Sequence, residues 1–263
     1  MQVRLGLGKP TFMTPFWVPD LDDSLHYFGA AQGEHLPDRL KILIWNVYKG
    51  KKGLAWKSDF LNLTRDCDIV LMQEAMLDET MPGLWKEDLK HYQWKMATSF
   101  IYRSSSHRTG VATGAKFTSK DTKVFRGFDR EIFLWTPKVT ISSLYQSADL
   151  DYSLLVINTH ALLVTTTKAF IRYIDGILST ISHHKGPLIF AGDFNTWHSG
   201  RWTALLHLLK SYDLEHVVIP NDERKLKLDH IFVRGLDVLT AKVWNTIYSS
   251  DHSPLELEVQ LKK

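Results

Sequence analysis

The chain is predicted to be an α/β domain, on three observations. Short runs rich in β-branched and aromatic residues, such as Lys41 to Val47 and Ser153 to Ile157, read as buried strands. Segments with apolar residues at helical spacing follow them. The strand, helix, strand order that results calls for parallel neighbours in a sheet. With 263 residues, 44% of them hydrophobic, one large domain can bury its own core, and no Gly/Ser-rich or charged linker divides it.

Residues 1–38 stand apart. Pro10, Pro15, Pro19 and Pro37 oppose a long helix, so this stretch is expected to be an irregular N-terminal arm whose aromatics, among them Phe12, Phe16 and Trp17, pack on the surface. The domain proper is placed at 39–263. Its first strand ends near Asn46. Trp56, Phe60, Leu63 and Cys67 then fall at helical spacing, and a second strand, Asp68 to Met72, delivers Gln73 and Glu74. The pattern from 76 to 108 is mixed and closes on the loop Ser104-Ser105-Ser106. Gly110 to Ala112 and Thr122 to Phe125 read as strands of a second sheet, with Arg130 and Glu131 beyond a turn at Gly127.

The run Ser153 to Ile157 ends in Asn158-Thr159-His160. Phe170, Ile171, Ile174, Ile177, Leu178 and Ile181 form an amphipathic helix, stopped by a basic last turn and Gly186-Pro187. A buried strand then ends in Gly192-Asp193-Phe194-Asn195, where alternation sends Asp193 and Asn195 to the same side. Trp202, Leu205, Leu206 and Leu209 mark another helix. Strand signals at Leu228 to Val233 and the alternation from Leu255 to Leu261 complete the chain.

Composition narrows the function. The 32 Lys and Arg against 29 Asp and Glu leave +3, too little to argue for a nucleic-acid partner by net charge, so any basic footprint must be local. The single cysteine, Cys67, rules out an internal disulfide and reads as a small buried group in a helix. No apolar run reaches the roughly 18 residues of a membrane span, and no signal peptide is visible. A cytoplasmic monomer is the expectation.

Chemistry concentrates where strand signals end, at Asn46, Glu74, His160, Asp193 with Asn195, Asp229, and Asp251 with His252. Taken singly, each has a plain structural explanation as a turn former, helix cap or surface histidine. Together they suit phosphoester hydrolysis. Oxygen donors such as Glu74, Asn46 and Asp251 suit a hard cation, whereas no Cys/His cluster favours zinc. An imidazole oriented by a carboxylate, His252 with Asp229, suits proton transfer near neutrality, and His160 offers a second imidazole to the phosphoryl oxygens.

Trp45-Asn46-Val47, Gln73-Glu74, Asn158-Thr159-His160, Gly192-Asp193-Phe194-Asn195, Leu228-Asp229-His230-Ile231-Phe232 and Ser250-Asp251-His252-Ser253-Pro254 resemble, in this order, the motif set of the endonuclease/exonuclease/phosphatase superfamily, the fold of DNase I. Trp45 to Gly50 and Gly186 to Trp197 look closest to its bacterial YafD-like group. The resemblance implies a four-layer α/β/β/α sandwich of two facing mixed sheets, with the site at one end and dependence on Mg²⁺ or Mn²⁺. It implies Glu74 as main metal ligand, with Asn46 and Asp251 nearby. Asp193 and Asn195 would position the attacking water and a phosphoryl oxygen, His252 oriented by Asp229 would be the general base, and His160 would stabilise the transition state or protonate the leaving oxygen. Arg130 is similar, over a short match, to an arginine that touches the substrate phosphate. Tyr48 replaces an acidic residue of the abasic-site repair enzymes, which also lack a histidine at the place of His160, so abasic-site repair is set aside.

The function expected is therefore a metal-dependent phosphodiesterase, most simply a nuclease. Lys49, Lys51, Lys52, His107, Arg108 and Arg201 are its candidate phosphate contacts. Trp197 and Trp202 are candidates for stacking. The alternatives are a lipid or inositol-phosphate phosphoesterase, for which no exposed apolar hairpin is legible, and a non-catalytic binding module that keeps the fold.

Overall fold

The structure, a computed structural model, describes residues 14–132, 135–148 and 153–262. Pro10 and Phe12 of the expected arm lie outside them. In chain order the elements are β1 (Phe16–Trp17), β2 (Leu25–Phe28), β3 (His35–Leu36), β4 (Arg39–Asn46), α1 (Leu54–Thr64), β5 (Ile69–Leu77), α2 (Met81–Lys86), β6 (Gln93–Tyr102), β7 (Arg108–Ala115) and β8 (Asp121–Arg126). They continue with β9 (Val139–Ser147), β10 (Ser153–His160), α3 (Thr167–Thr180), β11 (Leu188–Asp193), α4 (Ser199–Lys210), β12 (Glu215–His216), β13 (Asp229–Arg234), β14 (Leu236–Val243) and β15 (Leu255–Leu261).

These strands form two sheets. One runs β1-β6-β7-β5-β4-β15-β14, with β2 also on β6; the other runs β12-β13-β11-β10-β9-β3, with β8 also on β9. At the heart of each lies one parallel pair, β4 with β5 and β10 with β11, while their outer neighbours β15, β7, β9 and β13 run antiparallel. Both sheets are therefore mixed, as the family resemblance implies.

Alternation along the strands sorts the core into layers. Ile42, Ile44, Leu71, Val156, Ile189 and Leu257 meet between the sheets, whereas Leu43, Trp45, Val70 and Met72 turn the other way. Trp56, Phe60, Leu84 and Trp85 of α1 and α2 cover that outer face, and Trp85 stacks on Trp94 at 5.0 Å. Phe170, Ile174, Ile177 and Leu205 of α3 and α4 cover Ile157, Phe190 and Phe232 on the far side. Helices, sheet, sheet and helices make the expected four layers.

Three expectations change. Residues 14–38 are irregular only in part, since β1 and β2 pair with β6 and β3 pairs with β9; prolines lack the donor a central strand needs, which confines these strands to sheet edges and to a few residues each. Gly110 to Ala112 belong to the first sheet, because the mixed stretch hides β6, which turns at Ser104–Ser106 and pairs back on β7. Cys67 lies beyond α1 rather than in it, although its buried thiol still bonds Leu63 O at 3.1 Å.

Buried amides tie the sheets together. Asn158 donates to Met72 O at 3.1 Å and Ala112 O at 2.8 Å, and its oxygen accepts from Gln73 Nε2 at 2.7 Å. A buried amide satisfied on both ends fixes how the sheets sit across from one another.

Candidate active site

Parallel pairing puts the ends of β4 and β5, and of β10 and β11, at one edge of the sandwich. Asn46, His160 and Asp193 are the last residues of their strands. Asp229 arrives differently: it is the first residue of β13, and antiparallel pairing sets it opposite Asp193. Asp251 and His252 lie in the loop before β15, which is clipped to β4 by Trp45 Nε1 donating to His252 O at 2.8 Å and Ser250 Oγ donating to Asn46 O at 2.7 Å.

The backbone is bent to aim these groups. Glu74 stands at φ 53°, beside an irregularity in the β5–β7 register between Met72 and Ala75, and such a bulge turns a side chain out of its alternation. Gly192 has φ 137°, and a Cβ there would lie 2.0 Å from Thr159 O, so only glycine lets β11 close on β10 just before Asp193. Asn195, at φ 53°, donates its backbone N–H to Asp193 Oδ1 at 2.9 Å and its side-chain amide to Ala161 O at 2.9 Å.

Asp193 is the hub. Its Oδ2 accepts from Asn46 Nδ2 at 3.0 Å and lies 3.6 Å from His160 Nε2 and 3.9 Å from His252 Nε2. His252 Nδ1 lies 2.9 Å from Asp229 Oδ2, and Arg224 Nη1 approaches the same oxygen at 3.4 Å. Glu74 bonds the Lys49 ammonium. Lys138 Nζ donates to His160 Nε2 at 3.0 Å and stands 3.4 Å from Glu131 Oε1. Glu131 is buried and also accepts from Leu163 N at 3.1 Å.

These contacts set the charges. Burial first, then the Asp229 carboxylate, push the Asp193 carboxyl well above the ordinary range. Burial pulls His252 down, but Asp229 by charge and hydrogen bond, aided by Asp193, raises it to about 10. His160 is held well below its ordinary value by burial and by Lys138. Burial pushes Glu74 up, and Lys49 more than reverses this. One histidine therefore keeps a proton at neutral pH and the other does not.

The sequence reading of the site is brought together at Asn46, His160, Asp193, Asn195, Asp229 and His252. Glu74 and Asp251 join them through charge, Glu74 acting on Lys49 and Asp251 on both Lys49 and His252. Arg130 is engaged elsewhere, with Nη1 donating to Gly127 O at 2.8 Å and Phe128 O at 3.2 Å of its own loop. Arg201 is wholly buried and donates to Leu162 O, Asn195 O and Thr165 O, so it holds the loops rather than a phosphate. His230 points away from the site into a stack with Trp202 at 4.3 Å. Lys138 and Arg224 were not foreseen. Each sits in a segment without periodicity, and only the neighbouring strand, β9 or β13, gives it a place.

The donor set fits a hard cation. Glu74, Asn46 and Asp251 offer oxygens only, and the ammonium against Glu74 already marks that spot as a seat for positive charge. One atom each from Asp193, Asp229 and His252 also lie within 4.8 Å of one another. Within that trio His252 turns Nδ1 onto Asp229.

Residues 43–252 match the model of the Endonuclease/Exonuclease/phosphatase family, and the chain belongs to that family, whose members hydrolyse phosphoester bonds. It is 33% identical over 245 residues to a UPF0294 protein of Erwinia tasmaniensis, covering 90% of this chain and 88% of the relative. It is 31% identical over 273 residues to a UPF0294 protein of Vibrio cholerae, covering 97% and 94%. These relatives are of the YafD-like group that the motifs resemble. Among solved structures, an endonuclease/exonuclease/phosphatase of Bacteroides vulgatus superposes with TM-score 0.69 at 16% identity, over 86% of this chain and all of that one. The human Nocturnin catalytic domain, bound to a sulfate anion, gives 0.64 at 16% identity over 90% and 98%. A mannosyl-6-phosphatase of Bacteroides thetaiotaomicron gives 0.65 at 16% over 84% and 99%. At such identities these structures share the fold.

Proposed function

We propose that the chain is a divalent-metal-dependent phosphodiesterase that cleaves by in-line attack of water. The observation that carries this reading is Asp193 Oδ2 set between His160, His252 and Asn46, three side chains from three other segments around one buried carboxylate. Mg²⁺ or Mn²⁺, held by Glu74 with Asn46 and Asp251, would supply Lewis-acid stabilisation of the charge that develops on phosphorus oxygens.

The residues of the chain do the rest. Asp193 and Asn195 position the water and a phosphoryl oxygen. His252, fixed by Asp229, exchanges the proton. Neutral His160 accepts from Lys138 at Nε2 and so holds that ammonium at the edge of the site, where Lys138 would bind phosphoryl oxygens.

Nuclease is the first reading of the substrate, supported by Lys51 and Lys52, exposed in a turn after β4, and by Arg108, the first residue of β7. A phospholipid headgroup is the second, favoured by exposed apolar side chains around the same opening. Purified protein with Mg²⁺ or Mn²⁺ is to be assayed on bis-p-nitrophenyl phosphate, single- and double-stranded DNA, RNA and phospholipids. Cleavage of the generic diester that His160→Ala and Asp193→Ala both abolish is the expected result, and cleavage that survives both substitutions removes the site assignment.

A further inference from the structure

Large apolar side chains are exposed around the opening. Val218 is 79% exposed, Trp135 67%, Leu226 62%, Trp197 52%, Ile132 48% and Leu163 40%. They form one rim, and contacts trace it from the catalytic residues outward. Lys138, bonded to His160, also approaches Glu131, which accepts from Leu163 N. Ile132 N donates to Val164 O at 2.8 Å, and Trp135 N donates to Glu131 O at 2.9 Å. Trp197 Nε1 donates to Leu163 O at 3.3 Å. Trp197 in turn lines a cavity of about 370 Å³ with Val218, Leu226 and Asp229.

Such a rim costs solubility, and soluble domains keep large contiguous apolar patches for surfaces that bind something. Its charges say what it binds. Asp129 and Asp222 face Arg172 and Arg224, and Glu223 and Asp251 are exposed; Lys51, Lys52 and Lys225 on loops and Lys168 in the first turn of α3 are exposed too, so among these exposed groups ammonium outnumbers carboxylate. Apolar and indole side chains ringed by lysines are the chemistry of an interface helix or loop, where rings enter the headgroup boundary and ammonium groups reach lipid phosphates. A polynucleotide asks for a basic groove with stacked rings. Here Val218, Leu226, Ile132 and Leu163 offer aliphatic surface that a base or phosphate does not fill.

We propose that this rim is a lipid-docking surface, which seats the protein on a phospholipid layer with the site facing the headgroups. The docking stands on the rim alone; that a headgroup phosphoester is then cleaved rests on the phosphodiesterase reading above. The surface is formed by loops that follow β8, β10, β11 and β12, so it is spread over the chain and shows no hairpin in the sequence.

Docking and hydrolysis are measured apart. The full chain is mixed with vesicles of phosphatidylcholine alone or with added phosphatidylglycerol, and bound protein is read by co-sedimentation. Wild type is expected to bind both, the anionic vesicles more tightly. The double variant Trp135→Asn with Val218→Ser should bind at least about tenfold less while cleaving bis-p-nitrophenyl phosphate at the wild-type rate. Asn suits position 135 because Trp135 stands at φ 56°, and both sites are exposed, so the fold is kept. Wild type that cleaves the generic diester yet binds neither vesicle overturns the proposal. So does a double variant that keeps full vesicle binding, or one whose only loss is in binding single-stranded DNA. Vesicle binding by protein inactive on every diester leaves the docking supported and removes the phosphodiesterase reading instead.

Discussion

His252 Nδ1 lies 2.9 Å from Asp229 Oδ2 and 3.1 Å from Asp229 Oδ1, across a junction where a loop from one sheet meets the first residue of a strand in the other. The carboxylate leaves Nε2 as the working nitrogen, and Nε2 faces Asp193 at 3.9 Å. Arg224, locked on Asp222 by hydrogen bonds of 2.9 and 3.0 Å, steadies Asp229 from the other side. The imidazole can turn only if this frame breaks.

Asp229→Asn keeps the shape but presents an amide to Nδ1. It should lower kcat about 10²- to 10⁴-fold with little change in KM. Because Asp229 is the chief group that raises His252, the imidazole should also titrate lower in the variant, which histidine NMR would read. A variant with wild-type kcat removes the proton-transfer role.

Much of this arrangement was legible in the sequence because it follows from strand ends. Asn46, His160 and Asp193 close runs whose burial is written in their own composition, and parallel pairing carries those ends to one edge. Asp229 and His252 were visible as residue types, but the reason they converge, antiparallel return of β13 and β15, was not. Two kinds of feature stayed hidden. The inter-sheet tie of Asn158 and Gln73 depends on facing registers, which one-dimensional alternation does not encode. Lys138 follows Pro137 in a segment without periodicity, and its meaning comes only from the histidine beside it.

Lys138 should matter as much as a catalytic histidine. Its side chain is largely buried, and Glu131 and His160 fix its ammonium at the edge of the site. Lys138→Met removes a preorganised cation and should lower kcat/KM about 10²- to 10³-fold, with Lys138→Arg recovering part. Since Lys138 depresses His160, the Met variant should also let His160 protonate at higher pH. Loss of activity without that shift in the histidine titration would assign Lys138 to substrate contact alone.

Removal of metal tests the seat at Glu74. Chelation should abolish diester cleavage and added Mg²⁺ or Mn²⁺ should restore it. Glu74→Gln should raise the Mg²⁺ needed for half-maximal activity at least about tenfold. A binding readout separates this from chemistry, since Mg²⁺ should raise the melting temperature of wild type by mass action and leave Glu74→Gln unchanged. Equal stabilisation of both proteins places the ion elsewhere.

A pH-dependent cost is built into the core at Lys95. This lysine on β6 is buried, with its ammonium bonded to Ser119 Oγ and 5.1 Å from the centre of the Tyr145 ring, and no carboxylate is bonded to it among the described residues. Burial lowers its pKa from 10.5 to about 7. Between those values the unfolded chain holds a proton that the folded chain lacks, so folding stability rises with pH across that window, by at most about 1.4 kcal/mol per pH unit. Below about pH 7 both states are protonated and the dependence vanishes. Lys95→Met fills the same space without a charge, and Ser119 keeps its 3.0 Å contact with Thr122 Oγ1. Urea midpoints at pH 7 and pH 9 should therefore show the variant more stable at pH 7 and its advantage shrinking at pH 9, where the wild-type lysine is neutral in the fold. An advantage that stays constant from pH 7 to pH 9 would mean that Lys95 keeps its charge in the core, and a variant less stable at both values would mean that the ammonium is better satisfied than its single bond to Ser119 indicates.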